Sequence, residues 1–173
     1  LSSDFFLGLP YLIDVRIKGD GMRKIRVAVI GAGPAGIYAA DILTKEYEQA
    51  QVDVFDRLPA PYGLVRYGVA PDHPRIKEII KALRRVLSRD EIRFIGNVHY
   101  GTDIKLSDLR RFYDAVIFST GARADRDLDI PGIDLPESYG AADFVSWYDG
   151  HPDVPRDWPL TAKSVAVLGA GNV

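Results

Sequence analysis

Cysteine is absent from the 173 residues, which removes disulfides, thiolate nucleophiles, Cys-ligated zinc and protein-ligated iron–sulfur clusters. Any redox chemistry must therefore come from a bound organic cofactor. An excess of charge of one sign is missing too. The 22 Lys+Arg against 24 Asp+Glu suit neither a coat on nucleic acid nor one on an anionic membrane. No apolar run approaches the roughly 20 residues that a membrane span needs. Asp4, Asp14 and Asp20 argue against a signal or transit peptide, so the expected address is cytoplasmic. Methionine is nearly absent: the single one, Met22, stands just before the first clear pattern at Ile25. Residues 1–21 read as an upstream linker or, by preference, an extension that is not native to the protein's start.

What is present is an alternation of extended and helical patterns. Strands are expected at Ile25 to Ile30, Val52 to Asp56 and Ala115 to Ser119, with short extended pieces at Ile92 to Ile95 and Val98 to Tyr100. Helices are expected from Pro34 to about Tyr47 and from about Arg75 to Ser88, with a helical turn near Ser107 to Phe112. In the second of these, Ile76, Ile79, Ile80, Leu83 and Leu87 recur three to four apart, which makes one buried stripe. Near-continuous Val/Ile strands alternating with helices predict an α/β fold, a Rossmann-like parallel sheet covered on both faces. Leu58 to Pro74, rich in Pro, Gly and Tyr, is far longer than a βα connection requires, and such loops are usually functional. A Pro/Asp-rich stretch at 151–160 reads as an inter-domain linker between residues 22–150 and a second unit beginning at 161–173.

Val27-Ala28-Val29-Ile30-Gly31-Ala32-Gly33-Pro34-Ala35-Gly36 runs from a strand through a glycine turn into a helix. Gly31 makes the tight turn, Gly33 admits a pyrophosphate to the backbone, and Gly36 lets helix and strand pack closely. Pro34 suits the first helical turn, where its missing N–H is not needed. The free N–H groups of that turn face the diphosphate. Asp56, twenty-five residues after Gly31, can accept hydrogen bonds from two ribose hydroxyls and would repel a 2′-phosphate. The pattern suits the ADP half of FAD or NAD. Ala166-Val167-Leu168-Gly169-Ala170-Gly171-Asn172 repeats the strand and glycine pattern 138 residues later, which suggests a second dinucleotide.

The run Pro61-Tyr62-Gly63-Leu64-Val65-Arg66-Tyr67-Gly68-Val69-Ala70-Pro71-Asp72-His73-Pro74 strongly resembles the signature of the adrenodoxin reductase family, which includes bacterial ferredoxin–NADP reductases of glutathione-reductase-like fold. Agreement extends from Ile25 to Val173 and includes Gly96-Asn97-Val98, Ile130-Pro131-Gly132 and Phe144-Val145-Ser146-Trp147-Tyr148. The resemblance implies an FAD-binding domain of the glutathione-reductase type over residues 22–150, incomplete at its C-terminal side, followed by the first strand and glycine turn of an NADP-binding Rossmann domain. It implies that Ala35 and Asp56 contact the FAD pyrophosphate and adenosine ribose, that Leu64 lies beside the flavin, and that Val98 meets the adenine end. Arg57, Gly63, Val65, Thr120 and Gly121 join them as cofactor-binding residues. Gly171, Asn172 and Val173 match the start of the NADP pyrophosphate loop. Asp56 stands where the family more often has Glu, so the shorter arm requires a shift of the ribose or a bridging water. His73 either tunes nucleotide binding near the flavin or braces a Pro-rich turn. Arg66 steadies the cofactor phosphates or pins the loop. His99 and His151 read as surface or cap residues, and Trp147 and Tyr148 as helix packing.

The function implied is that of a ferredoxin–NADP reductase: FAD carries electrons between NADPH and an iron–sulfur protein, by hydride transfer and then single electrons. No catalytic nucleophile, triad or metal site is evident. From Arg75 to Arg89 six basic residues face only Glu78. Lys77, Lys81, Arg84 and Arg85 fall opposite the apolar stripe, either as a solvated face or as a landing patch for an acidic ferredoxin. Two other readings stay open, a flavoprotein like the small subunit of glutamate synthase and an inactive nucleotide-binding fragment. A chain of this extent is expected to hold FAD weakly and to turn over inefficiently.

Overall fold

The structure, a computed structural model, describes residues 13–15, 24–122, 125 and 128–169. These fall into two compact units. One comprises the described residues up to Tyr62 together with Lys81–Thr120, the other Gly63–Ile80 together with the described residues from Gly121 onward.

The first unit is built on a five-stranded sheet. Its strands are β1 (Ile13–Val15), β2 (Ile25–Ile30), β3 (Ala50–Phe55), β4 (Ile92–Ile95) and β5 (Ala115–Phe118), in the order β1-β5-β2-β3-β4. The last four run parallel, with Val29 opposite Val54 on one side and Ile117 on the other. Parallel pairing requires crossovers, supplied here by α1 (Pro34–Glu46), by α4 (Ile79–Leu87) and by α5 (Leu106–Phe112). Alternate side chains feed two cores. Val27, Val29, Val52, Val54 and Ile92 meet Ala32 and Ala40 on one face, with Val86 and Leu87 packed against them. Ala28, Ile30, Phe55 and Val116 meet Leu109 on the other. Burial on both faces explains why these strands read as continuous apolar runs.

Asp53 interrupts β3, and its partners explain how a carboxylate is tolerated there. Arg93 reaches it through Nε and Nη2, both at 2.9 Å, Tyr113 donates its hydroxyl at 2.6 Å, and Arg26 Nη2 lies at 3.5 Å. Burial pushes the Asp53 carboxyl up, but the hydrogen bonds from Arg93 and Tyr113 and the charges of Arg93 and Arg26 more than offset this and hold it below the ordinary 3.8. Burial, then the Asp53 carboxylate, push Tyr113 up to about 12. A carboxyl with a lower pKa folded than unfolded lends stability above the unfolded value and loses it as pH falls through the folded one. The phenol lends stability up to pH 10 and loses it between 10 and about 12. Asp53→Asn is expected to cost roughly 1–2 kcal/mol at pH 7, at the lower end because the arginines are solvent-exposed. It should also flatten the fall in stability below pH 4. Urea unfolding across the pH range measures both, and an acid limb unchanged in the variant would deny Asp53 this part.

The second unit contains α2 (Leu64–Tyr67), α3 (Pro74–Lys77) and α6 (Ala141–Asp149). Phe144 and Trp147 of α6 pack on Trp158, which also meets Tyr139. Trp158 comes from the Pro/Asp-rich stretch, which it ties to α6. Gly150, at φ 74°, ends α6 in the left-handed form.

Four features differ from the sequence expectations. Ile13–Val15, for which no element was expected, pairs antiparallel with β5. The helix expected over 75–88 is interrupted at Glu78, giving α3 and α4. Within Val98–Tyr100 only Tyr100 pairs, in a single bridge to Ile104, because Asn97 turns the chain at φ 57°. Residues 164–169 form no strand, and Val165, Val167 and Leu168 are exposed; a strand needs a neighbour to bond to, and none lies beside them among the described residues. Among the described residues, no helix is long and apolar enough to cross a membrane.

Candidate functional site

The carboxyl ends of the parallel strands gather the residues that the sequence singled out in the first unit. β2 is central, with β3 and β5 on either side, so the chain leaves it at the point where the sheet order reverses, the usual ligand crevice of open α/β sheets. Gly31 N–H donates to the Phe55 carbonyl at 2.8 Å. A Cβ on Gly31 would collide with the backbone of Ser119, its carbonyl carbon at 2.7 Å. The end of β5 is held there by Ser119 N–H on the Ile30 carbonyl, 2.8 Å, and by Ser119 Oγ on the Gly31 carbonyl, 3.0 Å. Gly36 faces the same crowd, with Ser119 Oγ 2.6 Å and Val29 Cγ1 3.0 Å from where its Cβ would be. Both glycines are thus required by the protein's own packing.

Gly33 is different. Its backbone is extended, φ −74° and ψ 177°, a conformation open to any residue, and a Cβ there would meet nothing within 4 Å. Neither strain nor protein contact calls for glycine. No side chain caps α1, which leaves first-turn N–H groups such as those of Ala35 and Gly36 for an outside acceptor. Pro34, in the first turn, has no N–H to satisfy.

Asp56 follows β3 and is half-buried. Its Oδ2 accepts from Ala32 N–H at 2.8 Å and its Oδ1 from Leu58 N–H at 2.9 Å. The carboxylate therefore holds the glycine turn to the end of β3, a task the sequence did not disclose, and each oxygen has a lone pair beyond these two bonds. Arg57 beside it is half-buried. Val98 N–H bonds to the Asp56 carbonyl at 3.0 Å and Asn97 N–H to that of Leu58 at 3.2 Å, so Val98 stands at the same rim. Thr120 is exposed just past β5. Tyr62 was missed by sequence reasoning. It is buried at φ 92°, and its N–H bonds to the Ala32 carbonyl at 2.7 Å. No local signal marks a bulky residue in that conformation.

The second unit holds the rest. Gly63 precedes α2, and its carbonyl accepts Arg66 N–H at 3.0 Å and Tyr67 N–H at 3.1 Å. Leu64 is 57% exposed while Val65 is buried. His73 is exposed, its Nδ1 3.1 Å from Asp72 Oδ1, and Gly121 is exposed at φ 69°. Of the basic residues, Lys81, Arg84 and Arg85, which belong to the first unit, are exposed, whereas Lys77 of the second is 26% exposed and bonded to Asp149. Lys77 therefore leaves the expected solvent-facing row. Gly171, Asn172 and Val173 lie outside the described residues.

Comparison with known proteins agrees with this geometry. The family model described as pyridine nucleotide-disulphide oxidoreductase matches residues 25–173. The mitochondrial NADPH:adrenodoxin oxidoreductase of Arabidopsis thaliana is 46% identical over 165 residues, 94% of this chain and 34% of the relative. The NADPH-ferredoxin reductase FprA of Mycobacterium tuberculosis is 44% identical over 158 residues, 88% of this chain and 35% of the relative. The structure of M. tuberculosis FprA in complex with NADPH superposes with a TM-score of 0.71 at 45% identity, covering 75% of this chain and 30% of that one. This chain thus spans about a third of the relatives it matches. The resemblance to the adrenodoxin reductase family carried by Pro61–Pro74 is borne out. With the glycine turn at the central strand and a family match that runs from Ile25 onward, the chain belongs to the pyridine nucleotide-disulphide oxidoreductase family.

Proposed function

We propose that this chain is the FAD-binding portion of a ferredoxin–NADP reductase. The observation that carries the reading is the open space at Gly33, beside an uncapped helix N-terminus. The residues fit the ADP half of FAD: Gly33 admits the pyrophosphate, the N–H groups of Ala35 and Gly36 receive its charge, and the free lone pairs of Asp56 accept the ribose hydroxyls. Val98 borders the adenine, with Arg57 and Thr120 at the rim. In the second unit, Gly63, Leu64, Val65 and His73 are assigned to the flavin side by their match to the family signature, and Gly121 is assigned to FAD by the likeness of Asp114–Gly121 to the second FAD strand of the family. Gly171, Asn172 and Val173 are assigned to NADP on the same ground. When bound, FAD supplies the exchange between hydride transfer with NADPH and single-electron transfer with an iron–sulfur protein. The names of the relatives, one an adrenodoxin and the other a ferredoxin reductase, support such a partner. Lys81, Arg84 and Arg85 are the exposed cations we assign to steering an acidic one.

The full-length protein should purify yellow, with flavin absorption released as FAD on denaturation, and should reduce ferredoxin or a ferredoxin-coupled cytochrome with NADPH. A colourless protein that takes up no added FAD would sink the proposal.

A further inference from the structure

Asp149 is costly where it stands. It is the last residue of α6, where the helix carbonyls disfavour negative charge, and its side chain is 1% exposed, so water cannot repay the lost hydration. Its Oδ1 accepts a hydrogen bond from Lys77 Nζ at 3.1 Å. Its Oδ2 is buried with no partner among the described residues. The same ammonium donates to the Arg66 carbonyl at 3.3 Å, one of the carbonyls left over at the end of α2. Lys77 closes α3, and its own N–H bonds to the carbonyl of His73 at 3.3 Å. One positive charge thus joins the end of α2, the end of α3 and the end of α6. Tyr67 of α2 adds an edge-on ring contact to His151, centroids 5.0 Å apart.

An apolar pair of similar volume would hold two helices together at least as well. It would not select one placement. An ammonium directed at both a carboxylate oxygen and a backbone carbonyl does, since sliding α2 or α3 along α6 breaks one bond or strands a buried charge. We propose that Lys77 and Asp149 are positioning residues, an ion pair with a buried carboxylate that holds Gly63–Lys77, and with it Leu64, Val65 and His73, in the form that receives the flavin. The flavin half of this statement rests on the function proposed above; the tie between the helices does not.

The test uses the full-length protein freed of flavin, with Lys77→Met, Lys77→Arg and Asp149→Asn. Amide hydrogen exchange is followed by mass spectrometry, and FAD affinity by fluorescence titration. In Lys77→Met, exchange across residues 64–77 should rise about tenfold or more, and FAD affinity should weaken about tenfold, each equivalent to about 1.4 kcal/mol. Exchange in Ile25–Ile30 and Ala50–Phe55 should not change. Lys77→Arg should recover most of both losses, and Asp149→Asn, which keeps the shape, should fall between. If Lys77→Met fails to fold, seen as fast exchange in those strands too, Asp149→Asn decides. Exchange over 64–77 within twofold of the parent in the folded variants overturns the tie. Faster exchange with unchanged FAD affinity overturns the positioning role. A parent protein that takes no FAD defeats the proposed function, and exchange alone still judges the tie.

Discussion

Replacing Gly31 with alanine is expected to cost about 4 kcal/mol of folding stability and to lower the thermal midpoint by roughly 10 °C. Two penalties add. The backbone at φ 110° costs a residue with a Cβ about 1–3 kcal/mol. The new Cβ also presses on the carbonyl of Ser119, with the carbonyl carbon at 2.7 Å. That backbone cannot retreat without breaking the bond from Ser119 N–H to Ile30, and overpacking of this kind costs about 1–3 kcal/mol. Gly101→Ala separates the two. Gly101 has a similar φ, 101°, and nothing within 4 Å of a Cβ, so its variant should lose only about 1–2 kcal/mol. Denaturant unfolding of the flavin-free proteins compares them directly, and equal losses would show that contact with β5 contributes nothing at Gly31.

Gly33→Asn should do the reverse, leaving the flavin-free protein as stable as its parent, or a few tenths of a kcal/mol more so, while weakening FAD binding about a hundredfold, or about 2.7 kcal/mol. The backbone is already extended, and asparagine is among the best residues for a helix N-cap, so folding has no objection. The side chain, however, fills the space that nothing in the protein occupies and competes for the first-turn N–H groups. Thermal unfolding without flavin and fluorescence titration with FAD give the two numbers. Lost stability with retained affinity would assign Gly33 to folding, and the proposed site would fail with it.

The contrast between these glycines shows how far a motif can be read without coordinates. Three glycines at fixed spacing announce a strand, a turn and a helix, because each depends on its near neighbours in the chain. The motif does not say which glycine serves packing and which serves a ligand, since that depends on Ser119, 88 residues from Gly31. The buried strands were legible for a related reason: burial on two faces leaves a continuous apolar run in the sequence itself. Asp53 looks like one polar residue in such a run. Its partners Arg26, Tyr113 and Arg93 come from three other places in the chain, and no local pattern joins them.

Lys77 shows where helical periodicity misleads. A single helix over 75–88 places it in one row with Lys81, Arg84 and Arg85, but the interruption at Glu78 assigns it to α3 and the others to α4. Its partner Asp149 is 72 residues away. The expected strand at Ala166–Leu168 has the apolar composition but no neighbour among the described residues, and a strand is defined by its neighbour. Ile13–Val15 is the converse, three residues too few to carry a periodicity, recruited because β5 has an open side.

That recruitment has a consequence for solubility. The row of N–H and C=O groups on the outer side of Ala115–Phe118 is a template on which any extended chain could add itself. Ile13–Val15 takes that place from within the same molecule, and by running antiparallel it ends the parallel ladder instead of continuing it. The β5 flank of the sheet is thereby guarded against joining another copy edge to edge by a segment of the same chain.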